Sequence, residues 1–117
     1  MTITEEFKRE IAPFFWVEHK DYASVCLEAG GYLQEIFDTR ADEGFLGNGY
    51  DWESLARIYL EEKRPDLMDS LQFDPEAGMF CVYSKQREDL QAFIHGFRCA
   101  CEDRAVILDL FSRAELD

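Results

Sequence analysis

The sequence predicts an α+β domain of two layers, with helices packed on one face of a small, mainly antiparallel sheet. Two observations indicate this class. Apolar residues recur at every second position in some segments and at every third or fourth position in others, which are the periods of strands and helices. These segments follow one another as helix, two strands, two helices, two strands and two helices. This order is typical of a sheet made of hairpins, with its helices on one side.

The first helix and the first hairpin are predicted in the N-terminal quarter of the chain. Thr2 and Glu5 have the spacing of a capping box, which predicts a short helix that ends before Pro13. Residues 14–19 and 22–28 predict two strands, the second from a regular alternation of side chains. The two residues between these segments suit a tight turn, so we expect a β-hairpin.

The middle of the chain predicts two helices joined by a loop rich in glycine. Apolar residues at helical spacing between positions 33 and 37 predict the first of these helices. The loop of residues 42–50 contains three glycines, so its backbone is expected to adopt positive φ. Asp51 is a suitable N-cap for the second helix, whose apolar stripe runs from residue 52 to residue 60 before Pro65 interrupts it.

The last part of the chain predicts a second hairpin and two final helices. Residues 71–73 and 79–83 form the hairpin, around a turn that contains proline and glycine. The strand over residues 79–83 is apolar on both faces, so we expect it to lie centrally in the sheet. Ser84 is a suitable cap for a helix with an apolar stripe over residues 90–101, and a last helix is expected over residues 106–114.

Charge is the most unusual property of the composition. Twelve basic residues against 25 acidic residues give a formal net charge of −13 at pH 7. Such a charge repels nucleic acid and anionic membranes and speeds association with basic partners. We therefore expect binding to neither nucleic acid nor membrane. Since 117 residues are too few for two independent cores, we expect one domain over residues 1–117.

The cysteines and histidines do not predict a metal site. The N-terminal segment lacks the basic and apolar regions of a signal peptide, so we expect a cytoplasmic protein with reduced thiols. Cys99 and Cys101 are separated by one residue, whereas zinc motifs have a gap of two or more. His19 and His95 lie in different segments, and neither has a metal-ligating residue at helical or strand spacing.

No motif predicts an enzyme. The glycines at positions 47 and 49 are not followed by the Lys and the Ser or Thr of a phosphate-binding loop. The serines lack the flanking glycines of a nucleophile elbow. Asp74 and Glu76 lack the alternating ligands and the terminal Glu of a calcium loop. We therefore expect no catalytic residues, no cofactor and no metal ion.

Three longer motifs in the second half of the chain resemble a known family. They are residues 44–52 (GFLGNGYDW) followed by Ser54-Leu55-Ala56, residues 73–81 (FDPEAGMFC) followed by Tyr83-Ser84, and residues 109–117 (DLFSRAELD). In this order they resemble the bacterial immunity protein 51 family of polymorphic toxin systems, from about Gly30 to the last residue. The resemblance implies a protein that binds a cognate toxin domain in the cytoplasm and blocks its activity, without catalysis of its own.

We expect the toxin domain to be basic and the contact face to be acidic, with an aromatic anchor at its centre. The candidate contact residues are Asp38, Asp42, Glu43, Tyr50, Asp51, Glu53, Glu61 and Glu62. Tyr50 is either this anchor or a core residue, whereas Trp52 is expected in the core. The motifs themselves have a structural explanation, since an N-cap and a hairpin turn account for several of their residues.

Two other functions stay open at this point. A small acidic ligand-binding or adaptor domain would bind a basic host protein unrelated to toxins, or would mimic nucleic acid. A small enzyme or ligand-binding domain would have a deep pocket under the loop of residues 44–50, near Asp51 or His19. The fold alone does not choose among these functions, because one fold supports many of them.

Overall fold

The computed structural model describes residues 3–116, and this part of the chain forms two layers that confirm the predicted α+β class and element order. Its α-helices are α1 (Glu5–Ile11), α2 (Gln34–Asp38), α3 (Gly49–Lys63), α4 (Arg87–Glu102) and α5 (Arg104–Phe111). Its strands are β1 (Phe15–Glu18), β2 (Ala23–Glu28), β3 (Gln72–Phe73) and β4 (Met79–Ser84). Short 3₁₀ helices over Ala41–Glu43 and Pro65–Ser70 follow α2 and α3.

The sheet has the order β1-β2-β4-β3, and each neighbouring pair of strands is antiparallel. The longest pairing joins β2 to β4, with Val25 opposite Val82 and Cys26 opposite Cys81. The central position predicted for the strand of residues 79–83 is confirmed. β1 and the short β3 lie at the two edges.

The two faces of the sheet have different surroundings because side chains alternate along each strand. Ala23, Val25, Leu27, Phe80 and Val82 share one face and are buried. On that face α3 contacts β4, and α4 contacts both β2 and β4. The opposite face lines an open cavity, described below. The helices therefore cover one face, as the sequence predicted.

Trp52 lies at the centre of the core between the helices and the covered face of the sheet. It is fully buried, as expected from the apolar stripe of α3. The rings of Phe14, Tyr32, Phe37, Phe80 and Phe97 surround it, with centroid distances from 5.1 to 6.3 Å. The indole Nε1 is buried and has no hydrogen-bond partner among residues 3–116. The indole is therefore held by packing in the core and not by a hydrogen bond of its side chain.

The cap of helix α1 differs from the prediction, whereas the first hairpin has the predicted turn. Thr4 caps α1, since its Oγ1 accepts a hydrogen bond of 3.0 Å from the Phe7 amide. Thr2, which was predicted to form the capping box, lies outside the described residues. The hairpin turn itself is confirmed: the regular strands end at Glu18 and begin again at Ala23, but the His19 amide donates a hydrogen bond of 2.9 Å to the Tyr22 carbonyl, so only two residues lie in the turn.

Two further caps differ from the prediction. Asn48, and not Asp51, is the N-cap of α3, since its Oδ1 accepts a hydrogen bond of 2.9 Å from the Asp51 amide. Ser84 lies too early to cap α4 and instead accepts a 2.9 Å hydrogen bond from the amide of Gln86, the N-cap residue. Both differences shift a helix start by a few residues, which sequence patterns do not resolve.

Candidate interaction surface

Asp51 fixes the conformation of the loop that precedes α3. Its Oδ2 accepts hydrogen bonds from the backbone amides of Leu46 at 2.7 Å and Gly47 at 2.8 Å. The side chain is 5% exposed, so these bonds lie in a largely dry environment. Charged acceptors in such surroundings form strong hydrogen bonds. Asp51 therefore holds the loop of residues 44–50, hereafter the 44–50 loop, in one shape.

The 44–50 loop also lies directly on the turn between β3 and β4. The Gly49 amide donates a hydrogen bond of 3.2 Å to the Ala77 carbonyl. A Cβ atom at Gly49 would lie 1.9 Å from the Glu76 carbonyl oxygen, so no other residue fits without moving backbone. The motifs of residues 44–52 and 73–81, which are distant in sequence, are thus in backbone contact.

Gln34 supports the same loop from α2. Its Nε2 donates a hydrogen bond of 3.0 Å to the Leu46 carbonyl. Gly47 has a φ of +81°, a conformation that favours glycine, and a Cβ there would lie 2.6 Å from the Gln34 side chain. The loop is therefore held by α2, by Asp51 and by the β3–β4 turn together.

This rigid loop presents apolar side chains to solvent. Leu46 is 70% exposed and Tyr50, in the first turn of α3, is 44% exposed. Leu116, which is also exposed, lies beside the loop, since a Cβ at Gly44 would be 3.1 Å from its Cδ1. We call Leu46, Tyr50 and Leu116 the apolar patch. A large exposed apolar side chain on a backbone that is already ordered is favourable for binding, because little conformational entropy is lost.

The exposed face of α3 continues from the apolar patch. Tyr50, Glu53, Arg57 and Glu61 follow one another at helical spacing along α3, and all but Glu53 are largely exposed. Arg57 and Glu61 line a small cavity of about 210 Å³ together with Glu115 of the C-terminal segment. The C-terminal segment therefore lies between the 44–50 loop and the exposed face of α3.

Three of the predicted contact carboxylates are held by arginines of the same chain. The pairs are Glu43 with Arg40 at 2.7 Å, Glu53 with Arg57 at 2.7 Å, and Glu62 with Arg113 at 2.6 Å. The hydrogen bond from Arg40 lowers the pKa of Glu43, and the hydrogen bond from Arg113 lowers the pKa of Glu62. Both carboxylates are therefore ionised at neutral pH, but much of their charge is locally compensated.

The remaining predicted residues are distributed around this surface. Asp38, Asp42 and Glu61 are exposed and form no ion pair within residues 3–116. Asp38 only accepts a hydrogen bond of 3.1 Å from Gln34. Asp51, by contrast, faces the loop amides and not solvent. Asp38 is thus linked to the 44–50 loop through Gln34, Glu61 lies beside Glu115, and Asp51 lies beneath the loop.

Arg40 is a structural residue of this region that sequence reasoning missed. Its Nη1 donates hydrogen bonds to the carbonyls of Phe111 and Ala114, at 2.5 and 2.8 Å, and its guanidinium lies 4.5 Å from the centroid of Phe45. It thereby ties the C-terminal segment to the base of the 44–50 loop. No short sequence signal indicates such a role, because the bonds span about seventy residues.

The uncovered face of the sheet forms a second candidate site, hereafter the open face. It lines a cavity of about 630 Å³. In it His19 stacks on Tyr22, with ring centroids 4.3 Å apart, and its Nε2 lies 3.2 Å from Ser24 Oγ. No carboxylate of residues 3–116 pairs with His19 to orient it as a catalytic base. Under the 44–50 loop, where a pocket was also considered, the structure has the buried side chains of Phe45, Asp51 and Trp52.

Residues 3–116 contain no group of three or more His, Cys, Asp or Glu side chains placed to hold a metal ion. None of the helices in this part of the chain has the length and apolar character needed to cross a membrane.

A two-layer α+β fold whose preformed loop exposes apolar side chains among carboxylates has the features of a protein-binding domain. Residues 14–116 match the family model described as Immunity protein 51, and the chain therefore belongs to this family. The resemblance read from the sequence is confirmed and extends further towards the N-terminus than about Gly30. Membership supports an immunity role. No curated protein and no solved structure matches the chain.

Proposed function

We propose that the protein is an immunity protein that neutralises a cognate bacterial toxin domain in the cytoplasm, by direct contact and without catalysis. The observation that carries the proposal is the 44–50 loop, which is rigidly held and yet exposes Leu46 and Tyr50 among carboxylates. Isolated exposed apolar residues are common on protein surfaces, but rigid ones beside unpaired charges suit recognition of another protein. Family membership supports the same conclusion.

In this mechanism the charges and the apolar patch have separate tasks. The net charge of −13 accelerates the encounter with a basic toxin domain. Leu46 and Tyr50 then stabilise the complex, because burying an apolar side chain contributes about 1.5–3 kcal/mol. Asp38, Asp42 and Glu61 are free to pair with basic groups of the partner. Asp51 acts indirectly, by keeping the loop in its binding conformation.

The acids that already form ion pairs extend the contact face. Glu43, Glu53 and Glu62 can exchange their arginine partners for basic groups of the toxin, since exposed ion pairs contribute little stability. The resulting face contains seven of the eight residues expected from the sequence, and the buried Asp51 beneath it is the positioning residue. Occupation of a catalytic cleft or its rim by this face would block access of the toxin's substrate.

Neutralisation is tested with the product of the gene adjacent to that of this protein, taken as the candidate toxin. Co-expression of the wild-type protein is expected to restore growth, and the purified proteins are expected to form a stable complex. Leu46→Asp places a charge in the apolar patch and is expected to abolish rescue. Phe15→Asp is the control, because Phe15 is also a large exposed apolar residue (41%) but lies on β1. Failure of the wild-type protein to rescue, or equal rescue by both variants, would contradict the proposal.

A small-molecule or adaptor function is the second candidate, favoured by the open-face cavity of about 630 Å³. Its volume lies in the range of ligand sites, and aromatic side chains line it. A pull-down from a lysate without the toxin distinguishes the two. One stoichiometric basic host protein, bound equally by Leu46→Asp and the wild type, would favour the adaptor function over neutralisation.

A further inference from the structure

Two cysteines face each other on the open face of the sheet. Cys26 of β2 and Cys81 of β4 are directly opposite in the antiparallel register, and their Sγ atoms are 3.0 Å apart. Opposed residues in such a pair have Cα atoms about 4.5 or 5.5 Å apart. Both distances fall within the roughly 4.4–6.8 Å that a disulfide bond spans. The backbone therefore already has the geometry that a bond between these sulfurs needs.

The cysteine pair is accessible to small molecules from one side. Cys26 is buried and Cys81 is half-buried, and both line the open-face cavity of about 630 Å³. Tyr22 and Tyr83 form part of its wall, while Asp74 and Lys85 bring charges of opposite sign to it. A disulfide molecule of a few carbon atoms can thus reach Cys81, whereas Cys26 is reached mainly through Cys81.

The two thiols differ in reactivity. A hydrogen bond from the Cys26 thiol lowers the pKa of Cys81, although burial and the nearby Asp74 and Glu76 oppose this effect. The same hydrogen bond raises the pKa of Cys26. Since the thiolate is the nucleophile in thiol–disulfide exchange, Cys81 is the attacking group and Cys26 the one that reacts second.

We propose that Cys26 and Cys81 form a dithiol site that reduces small, uncharged or cationic disulfides and closes into a cross-strand disulfide. The Cys81 thiolate attacks one sulfur of the small disulfide RSSR, a bond forms between them, and the first RS⁻ leaves and takes up the proton lost by Cys81. Cys26 then loses its proton and attacks Cys81 Sγ, which releases the second RSH. RSSR gains the two electrons that the cysteine pair loses.

The charge of the protein sets the preferred disulfide. With a net charge of −13, the surface field repels anionic disulfides and attracts cationic ones. Cystamine is therefore expected to react faster than neutral hydroxyethyl disulfide, and oxidised glutathione, which is anionic, is expected to react most slowly. Faster reaction with oxidised glutathione than with cystamine would overturn this choice of substrate class.

The test uses the whole protein with Cys99→Ser as the parent, because Cys99 is exposed and would react independently. After incubation with cystamine, intact-mass spectrometry is expected to show the parent lighter by two hydrogen atoms and without adduct. Cys26→Ser in this parent is expected to keep half of cystamine on Cys81. Cys81→Ser is expected to react at least about tenfold more slowly, because it lacks the accessible thiolate.

Peptide mapping identifies the linked cysteines directly and needs no substitution of Cys26 or Cys81. Proteolysis of the oxidised parent is expected to yield one linked pair of peptides that contains Cys26 and Cys81. A parent that retains the adduct, equal reaction rates for Cys26→Ser and Cys81→Ser, or a link to the buried Cys101 instead would each overturn the proposal. Circular dichroism of each variant establishes that it is folded before its rate is compared.

Discussion

The 44–50 loop and the open face of the sheet are both exposed, but they are built in opposite ways. In the loop the backbone is fixed by buried polar groups, above all Asp51, and apolar side chains project outwards. On the open face the backbone is fixed by the β-ladder, and thiol, hydroxyl and imidazole groups line a hollow. A projecting apolar surface suits a large partner, whereas a hollow with polar groups suits a small molecule. Two functions can thus occupy one small chain without sharing residues.

The largest expected effect is a loss of stability, because the backbone of the 44–50 loop depends on Asp51 whereas that of the open face depends on the β-ladder. Asp51→Ala leaves the buried amide of Gly47 and the partly buried amide of Leu46 without their acceptor, so the free energy of unfolding is expected to fall by about 2–4 kcal/mol. Urea denaturation measures this loss. Asp42→Ala removes an exposed carboxylate of the same region and is expected to cost less than about 0.5 kcal/mol. Similar losses in both variants would show that the loop does not depend on Asp51.

The next effect concerns affinity and not stability. Tyr50→Ala is expected to weaken toxin binding by about tenfold or more, because it truncates an anchor of the apolar patch. Tyr22→Ala truncates a similarly exposed tyrosine on the open face and is expected to leave the toxin Kd unchanged. Calorimetric titration of both variants measures the difference. A loss of affinity in Tyr22→Ala alone would indicate that the toxin binds to the open face.

A smaller effect concerns the rate of association. Replacing Asp42 and Glu61 by Asn and Gln removes two unpaired charges beside the apolar patch, so the association rate is expected to fall several-fold at low salt. At about 0.5 M salt the wild type and the variant are expected to associate equally fast, because exposed charges are screened. Stopped-flow mixing measures both rates. A wild-type rate that is independent of salt would remove electrostatic attraction from the mechanism.

The smallest effect is a pH dependence of the C-terminal segment beside the loop. Arg113 lowers the pKa of Glu62 and of Asp109 by hydrogen bonding to both carboxylates. A carboxylate whose folded pKa is depressed stabilises the fold above its unfolded pKa, and this stability is lost as the pH falls through the folded pKa.

Glu62→Gln is therefore expected to lower the urea midpoint slightly at pH 7. The difference from the wild type is expected to persist at about pH 4.3, near the unfolded value, and to disappear only at lower pH. Lys63→Gln changes the neighbouring, exposed charge and serves as the control. A midpoint difference that grows on acidification would contradict the assignment of Glu62 to Arg113.

Patterns local in sequence predicted much of this fold. The stripe of α3 predicted the burial of Trp52, and the doubly apolar strand over residues 79–83 predicted the central place of β4. These periodic patterns are reliable because apolar side chains recur on the one face of a helix or strand that is buried. Family membership was likewise evident from three motifs in order.

Features that depend on contacts distant in sequence were missed. Asp51 satisfies the residue preference of an N-cap, but Asn48 does so equally, and only the folded loop shows which side chain caps the helix. The cysteine pair depends on the register between β2 and β4, which the sequence does not specify for strands so far apart. Of the arginines that pair with the candidate acids, only Arg113, the partner of Glu62, is distant in sequence and needs the fold to be seen. The pairs of Glu43 with Arg40 and of Glu53 with Arg57 have the helical spacing of three or four residues, which already indicates such contacts.

The contact between Gly49 and the β3–β4 turn limits how this surface can be transplanted. Because main chain meets main chain with no side chain between them, a peptide of the loop alone lacks the Ala77 carbonyl that its Gly49 amide requires. A graft onto another scaffold would have to include both the 44–50 loop and the β3–β4 turn, held at the same distance from each other as in this protein. An insertion in the turn would equally re-aim Leu46, although the two lie about thirty residues apart in the chain.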